Sequence, residues 1–109
     1  MMQPQDVLLV FTQVPDRATA LKIASVLIDE KVAACVNVLG AATSVYRWQG
    51  EVEQADEVPL LIKTTAPRYA ALEATLRRLH PYELPEIVAV PLAQGLPAYL
   101  NWVAAETEL

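Results

Sequence analysis

The chain is poor in the residues that most often announce a chemistry. It has one cysteine, Cys35, one histidine, His80, and three glycines in 109 residues. A single cysteine excludes an internal disulfide, and two cysteines in a Cys-x-x-Cys pair, as a soft-metal chaperone would carry, are absent. Three scattered glycines provide no phosphate-cradling loop, and the segment after the first apolar run, Thr12 to Arg17, has one arginine but no glycine to build a cradle around it. Cys35 and His80 fall on different elements, so no nucleophile with a positioned base is legible, and the chain reads as a non-enzyme. Basic charge is also scarce, with 8 Lys and Arg against 13 Asp and Glu for a net charge of -5. That balance argues against a nucleic-acid partner. No apolar run approaches the roughly 18 residues of a membrane span, and the start MMQPQD lacks the pattern of a secretory signal, so no membrane role and a cytoplasmic location are expected.

What is present is apolar material for one core. Hydrophobic residues make up 54% of the chain, and a single domain over residues 1–109 is expected. The run Val7 to Phe11 suits a buried strand. Asp16 is placed to cap a helix ending near Lys31, with Ala20, Ile23, Ala24, Leu27 and Ile28 on one face. A second strand runs from Val32 through a bend at Gly40 to Trp48, and Gln49-Gly50 supplies a turn into a third, Glu51 to Thr65. Pro59 inside that third strand predicts an edge position or a bulge. Pro67 opens a helix bearing Tyr69, Leu72, Leu76 and Leu79, which His80-Pro81 ends. Glu86 to Leu92 is the fourth strand and Pro97 to Ala105 a tail helix.

The order βαββαβ plus a helix predicts an α+β, ferredoxin-like sandwich: an antiparallel sheet with both crossover helices on one face and the other face open. The central hairpin is too long for its domain. Val32 to Trp48 unbroken would extend on the order of 55 Å, whereas a chain of this size makes a globule about 34 Å across. The hairpin must therefore bend or protrude, and Val45, Tyr46, Trp48 and Val58 on a protruding arm call for another chain to cover them.

Taken together, AACVNVLGAATSVYRWQGEVE, EVPLLIKTT, HPYELPEIVAVP and YLNWV make the chain similar to the CutA family, the divalent-cation tolerance proteins, over nearly its whole length. The resemblance implies a cytoplasmic homotrimer in which the hairpins pair between subunits. It also implies a link to copper and other divalent ions with no required cofactor, while binding of Cu(II) or another divalent cation by this chain is expected to be weak. A small-ligand signalling module like the trimeric nitrogen-regulatory proteins, or an anchor for a partner protein, are the alternatives. In the copper-binding members a cysteine ends the first strand and two adjacent histidines precede the Pro-Tyr; here Phe11 and Leu79 stand at those positions and His80 is left alone.

His80, at a helix end with an exposed ring expected, is the first metal candidate, with Glu83 and Glu86 available to complete a mixed shell. Cys35 is a softer ligand, but its apolar run VAACVNV favours a buried small hydrophobe. Tyr46, Trp48, Lys63, Tyr82 and Glu86 are read as one cleft, either a subunit interface or a site for a small anion or peptide, with Lys63 as the pairing cation. Glu51, Glu53, Asp56 and Glu57 are read as a solvated strand face.

Overall fold

The computed structural model describes residues 3–109. Strand β1 (Val7–Val14) alternates as its sequence requires, with Val10, Thr12 and Val14 buried beneath the helices. Helix α1 (Arg17–Asp29) begins where Asp16 accepts the Thr19 N–H at 2.8 Å, a cap that also holds the Asp16 carboxyl below its ordinary range. It buries Ala20, Ile23 and Leu27. Ile28, assigned to the same face from spacing, lies 44% exposed. The helix stops with Lys31 in the left-handed region at φ 58°, and the Val32 N–H closes back on the Leu27 carbonyl at 3.1 Å.

The expected second strand is two, β2 (Cys35–Val38) and β3 (Ala42–Trp48), and both pair with the single long strand β4 (Glu51–Thr65). Between Val38↔Leu60 and Ala42↔Glu57 the first arm has three residues and β4 has two, which is the bulge that Pro59 foretold. The edge alternative does not hold, because β4 is central, with β1 on its other side. Pro59 is tolerated there for a local reason. Its carbonyl accepts the Leu39 N–H at 3.0 Å, so its missing N–H points to the same side, into the bulge rather than into the β1 ladder. Gln49 and Gly50 have φ of 51° and 83°, both positive, which is the type I′ turn that suits a right-twisted hairpin.

Helix α2 (Tyr69–Leu79) follows a 3₁₀ turn, Ala66–Arg68, that takes up Pro67. Strand β5 (Val88–Pro91) and helix α3 (Pro97–Glu106) complete the chain. The antiparallel order β2-β4-β1-β5 is the expected ferredoxin-like sheet. Its core lies between one sheet face and helices α1 and α2, centred on Ile23, Leu27, Leu60, Ile62, Leu72 and Leu76. Burying side chains of this size contributes about 1.5–3 kcal/mol each. The opposite face is capped at one end by α3, where Leu100 and Val103 meet Val7 and Ala34. The rest of that face stays open, with Val88 and Val90 half-exposed beside Phe11 and Leu9. The β3–β4 arm extends past the body, giving extents of 47 × 27 × 23 Å.

Strand β5 starts two residues later than Glu86. Continuing the Phe11↔Val88 register would set Glu86 against Gln13, but the Gln13 carbonyl already accepts the Nε2–H of His80 at 2.8 Å. A side chain has taken the place of the ladder, and the segment Pro81 to Ile87 is freed to form a loop.

Candidate functional site

A cleft of about 900 Å³ lies between the β3–β4 arm and that loop. Its floor is built from β1: Gln13 Oε1 accepts the Ser44 hydroxyl at 3.2 Å, holding the arm, while the Gln13 carbonyl holds His80. His80 ends α2 in extended backbone, as a residue before proline must, with its own N–H on the Leu76 carbonyl at 2.8 Å.

The His80 ring is buried rather than exposed, a correction to the reading from its helix-end position. Its Nε2–H donates to Gln13 and its Nδ1 accepts the Tyr82 N–H at 3.2 Å, which assigns the neutral Nε2–H tautomer. Burial pushes its pKa below the usual histidine value, against smaller upward pulls from the Gln13 carbonyl and Glu57. With both nitrogens occupied, the ring offers no lone pair to a metal unless one of these bonds breaks.

Tyr82 packs on His80 with ring centroids 4.8 Å apart and donates its hydroxyl to Glu57 Oε2 at 3.0 Å. Desolvation, then Glu57, pushes the phenol up to about 12. Glu57 therefore departs from the solvated strand face assigned to it: Glu51, Glu53 and Asp56 are exposed, while Glu57 is half-buried at the cleft. Its alternation with Val58 and Leu60 carried no sign of this, because the partner arrives from a loop 25 residues away.

Tyr46, Trp48, Tyr82, Glu83 and Glu86 all line the cleft, so four of the five residues grouped from sequence meet there. Lys63 does not. It sits opposite Leu9 and Cys35 and hydrogen-bonds Asn37 Oδ1, six residues along β4 from Glu57 and therefore about 20 Å away. Cys35 is half-buried rather than fully buried, since alternation with Val36 turns it to the sheet face away from α1 and α2, where Sγ lies 3.9 Å from Asn37 Oδ1. Among the described residues no three His, Cys, Asp or Glu side chains converge as metal ligands would. Gln13 and Ser44 also line the site and were not singled out by sequence, having no motif of their own, and Glu57 was read there only as part of a solvated face.

Fold and site define a class: a ferredoxin-like α+β protein with a projecting hairpin and an acidic, aromatic cleft at the base of that arm. The chain belongs to the CutA1 divalent ion tolerance protein family, whose model matches residues 8–106. It is 46% identical to the divalent-cation tolerance protein CutA of Thermus thermophilus over 90% of this chain and 95% of that protein. To the CutA protein of Mus musculus it is 40% identical over 96% of this chain, which spans 59% of the mouse protein's length. The crystal structure of CutA from Xylella fastidiosa superposes with a TM-score of 0.92 at 48% identity, covering 94% of this chain and 99% of the other.

Proposed function

We propose that the protein acts in the cytoplasm as a homotrimer that responds to copper and other divalent metal ions by binding them weakly through cleft carboxylates. The observation that carries the reading is the placement of Glu57, Glu83 and Glu86 around one cleft in a chain of the divalent ion tolerance family. Glu83 and Glu86 are exposed and without side-chain hydrogen bonds to other described residues, so their oxygens are available to a cation. His80 joins such a shell only after giving up Gln13 or Tyr82, which sets the expected affinity low. Calorimetry with Cu(II) tests this: Glu83→Gln with Glu86→Gln abolishes the heat, and heat unchanged by the pair refutes the assignment.

Trimerisation is supported by two surfaces that a lone subunit leaves wet. One is the open sheet face with Val88 and Val90; the other is the arm, where Val45 is 67% and Val52 66% exposed. Trp48→Asp on the arm is expected to give monomer or aggregate in sedimentation, and an intact trimer removes the arm from the interface. A cytoplasmic site is consistent with the lone free thiol, and cell fractionation checks it.

A further inference from the structure

The β3–β4 arm has no core of its own to hold it at a fixed angle to the body. Strand β1 ends at Val14↔Val58, so from Ala42↔Glu57 to Trp48↔Glu51 the arm is a two-stranded ribbon, a form only marginally stable by itself. None of its residues is buried. The half-buried ones, Ala42, Ser44, Ala55 and Glu57, all lie within the first three pairs at its base. The ribbon joins the sheet through the bulge beside Pro59, where a strand bends readily.

The angle matters because the arm is long. Its seven residues extend about 23 Å, so a deflection of about 10° at the base carries the tip about 4 Å, nearly the spacing of about 4.8 Å between paired strands. A partner would then meet the arm out of register.

Two side-chain hydrogen bonds tie the arm to the body, and among the described residues there are no others. Ser44 on β3 donates to Gln13 Oε1 at 3.2 Å, and Glu57 on β4 accepts the Tyr82 hydroxyl at 3.0 Å. Each strand of the ribbon is therefore held once, at its base. Tyr82 is itself fixed by its N–H on His80 Nδ1, and His80 by its Nε2–H on the Gln13 carbonyl. Both ties return to Gln13 and close a bracket around the foot of the arm.

We infer that this bracket is an assembly device: Gln13, Ser44, Tyr82 and Glu57 fix the direction in which a free subunit projects its arm, and so set the rate at which subunits dock. The inference rests on the homotrimer proposed above and concerns the subunit before docking, when no partner supports the arm. In the assembly, neighbouring chains hold the arm and the ties become redundant. The signature is kinetic. Positioning residues of this kind lower association in proportion to the fraction of docking-ready subunits, whereas loss of an interface contact acts mainly on dissociation.

The test is stopped-flow reassembly of urea-dissociated protein at several concentrations, which separates the concentration-dependent docking phase from folding, with dissociation read from exchange between labelled and unlabelled assemblies. Gln13→Leu, which leaves the carbonyl for His80, Ser44→Ala and Tyr82→Phe should each slow docking about two- to tenfold, the factor one ordinary hydrogen bond supplies, and leave dissociation within about twofold of the parent. Ser44→Thr retains the hydroxyl and should dock at the parental rate. Gln13→Leu and Ser44→Ala break the same bond and should be no slower together than singly, while adding Tyr82→Phe to either should multiply the effect. Docking indifferent to all three substitutions, slowing by Ser44→Thr as large as by Ser44→Ala, or changes confined to faster dissociation overturn the inference. A parent that sediments as a monomer overturns the homotrimer as well, whereas an assembled parent with unchanged docking rates in the variants overturns the bracket alone.

Discussion

Replacing His80 by alanine separates a structural histidine from a metal ligand, and the structure sets the size of the effect. The ring is buried and satisfies two backbone groups, the Gln13 carbonyl at 2.8 Å and the Tyr82 N–H at 3.2 Å. Removing it orphans both, and each buried group left unpaired costs about 1–3 kcal/mol. The imidazole also leaves a void against Tyr82, which adds to the loss to the extent that the loop fails to collapse. The two orphaned groups together make a loss of about 2–6 kcal/mol, to which any void adds. Equilibrium urea unfolding in the presence of a chelator measures it, at one fixed protein concentration because assembly contributes to apparent stability. The midpoint should fall with little change in slope. His80→Asn should lie between the two, because its carbonyl can accept the Tyr82 N–H but its shorter amide does not reach Gln13. If chelated His80→Ala unfolds within about 0.5 kcal/mol of the parent, a difference expected of ordinary surface positions, the argument for a structural role fails and a ligand role returns.

The same ring predicts a pH dependence. Burial holds its folded-state pKa below the ordinary histidine value of about 6.5, so the unfolded chain takes up the proton first. The stabilising contribution is complete above about pH 6.5, declines as pH falls below it, and levels off once the folded-state value is passed. Unfolding curves of the parent against His80→Asn isolate the step, since carboxylate titrations common to both cancel; parallel stability profiles from pH 7 to 5 contradict it. Lys31 holds φ 58° at the end of α1, a conformation that favours glycine. Lys31→Gly is therefore expected to raise stability by up to about 1 kcal/mol, read as an increase in the urea midpoint, and a decrease would show that the lysine side chain supplies more than its backbone strain removes.

The elements that could be read from sequence are those whose signals are local. Asp16 announced its helix because capping needs only the Thr19 N–H three residues on, and Pro59 announced a bulge because a missing donor must face a gap. The bulge belongs to the facing strand, however, and a proline cannot say which neighbour yields. Strand β5 was overextended for a related reason: Glu86 and Ile87 have nothing in their own composition to stop a strand, and what stops it is His80, six residues earlier, occupying the Gln13 carbonyl. Tyr46, Trp48, Tyr82 and Glu86 could be grouped by type, while Lys63 was drawn in by charge although its strand position places it near Cys35.

Gln13 shows why the cleft was harder to foresee than the fold. Its backbone carbonyl fixes the His80 loop, its side-chain oxygen fixes Ser44 on the arm, and its position opposite Pro59 sets it level with the bulge where the arm leaves the sheet. Each of these is an ordinary consequence of strand register, and none requires glutamine at the carbonyl. The two walls of the cleft are thus aligned by one residue of β1, which alternation places but residue type does not advertise. A core residue is legible because many neighbours ask the same thing of it, namely to be apolar. Gln13 answers two different partners through different atoms, and only the folded chain brings those partners to it.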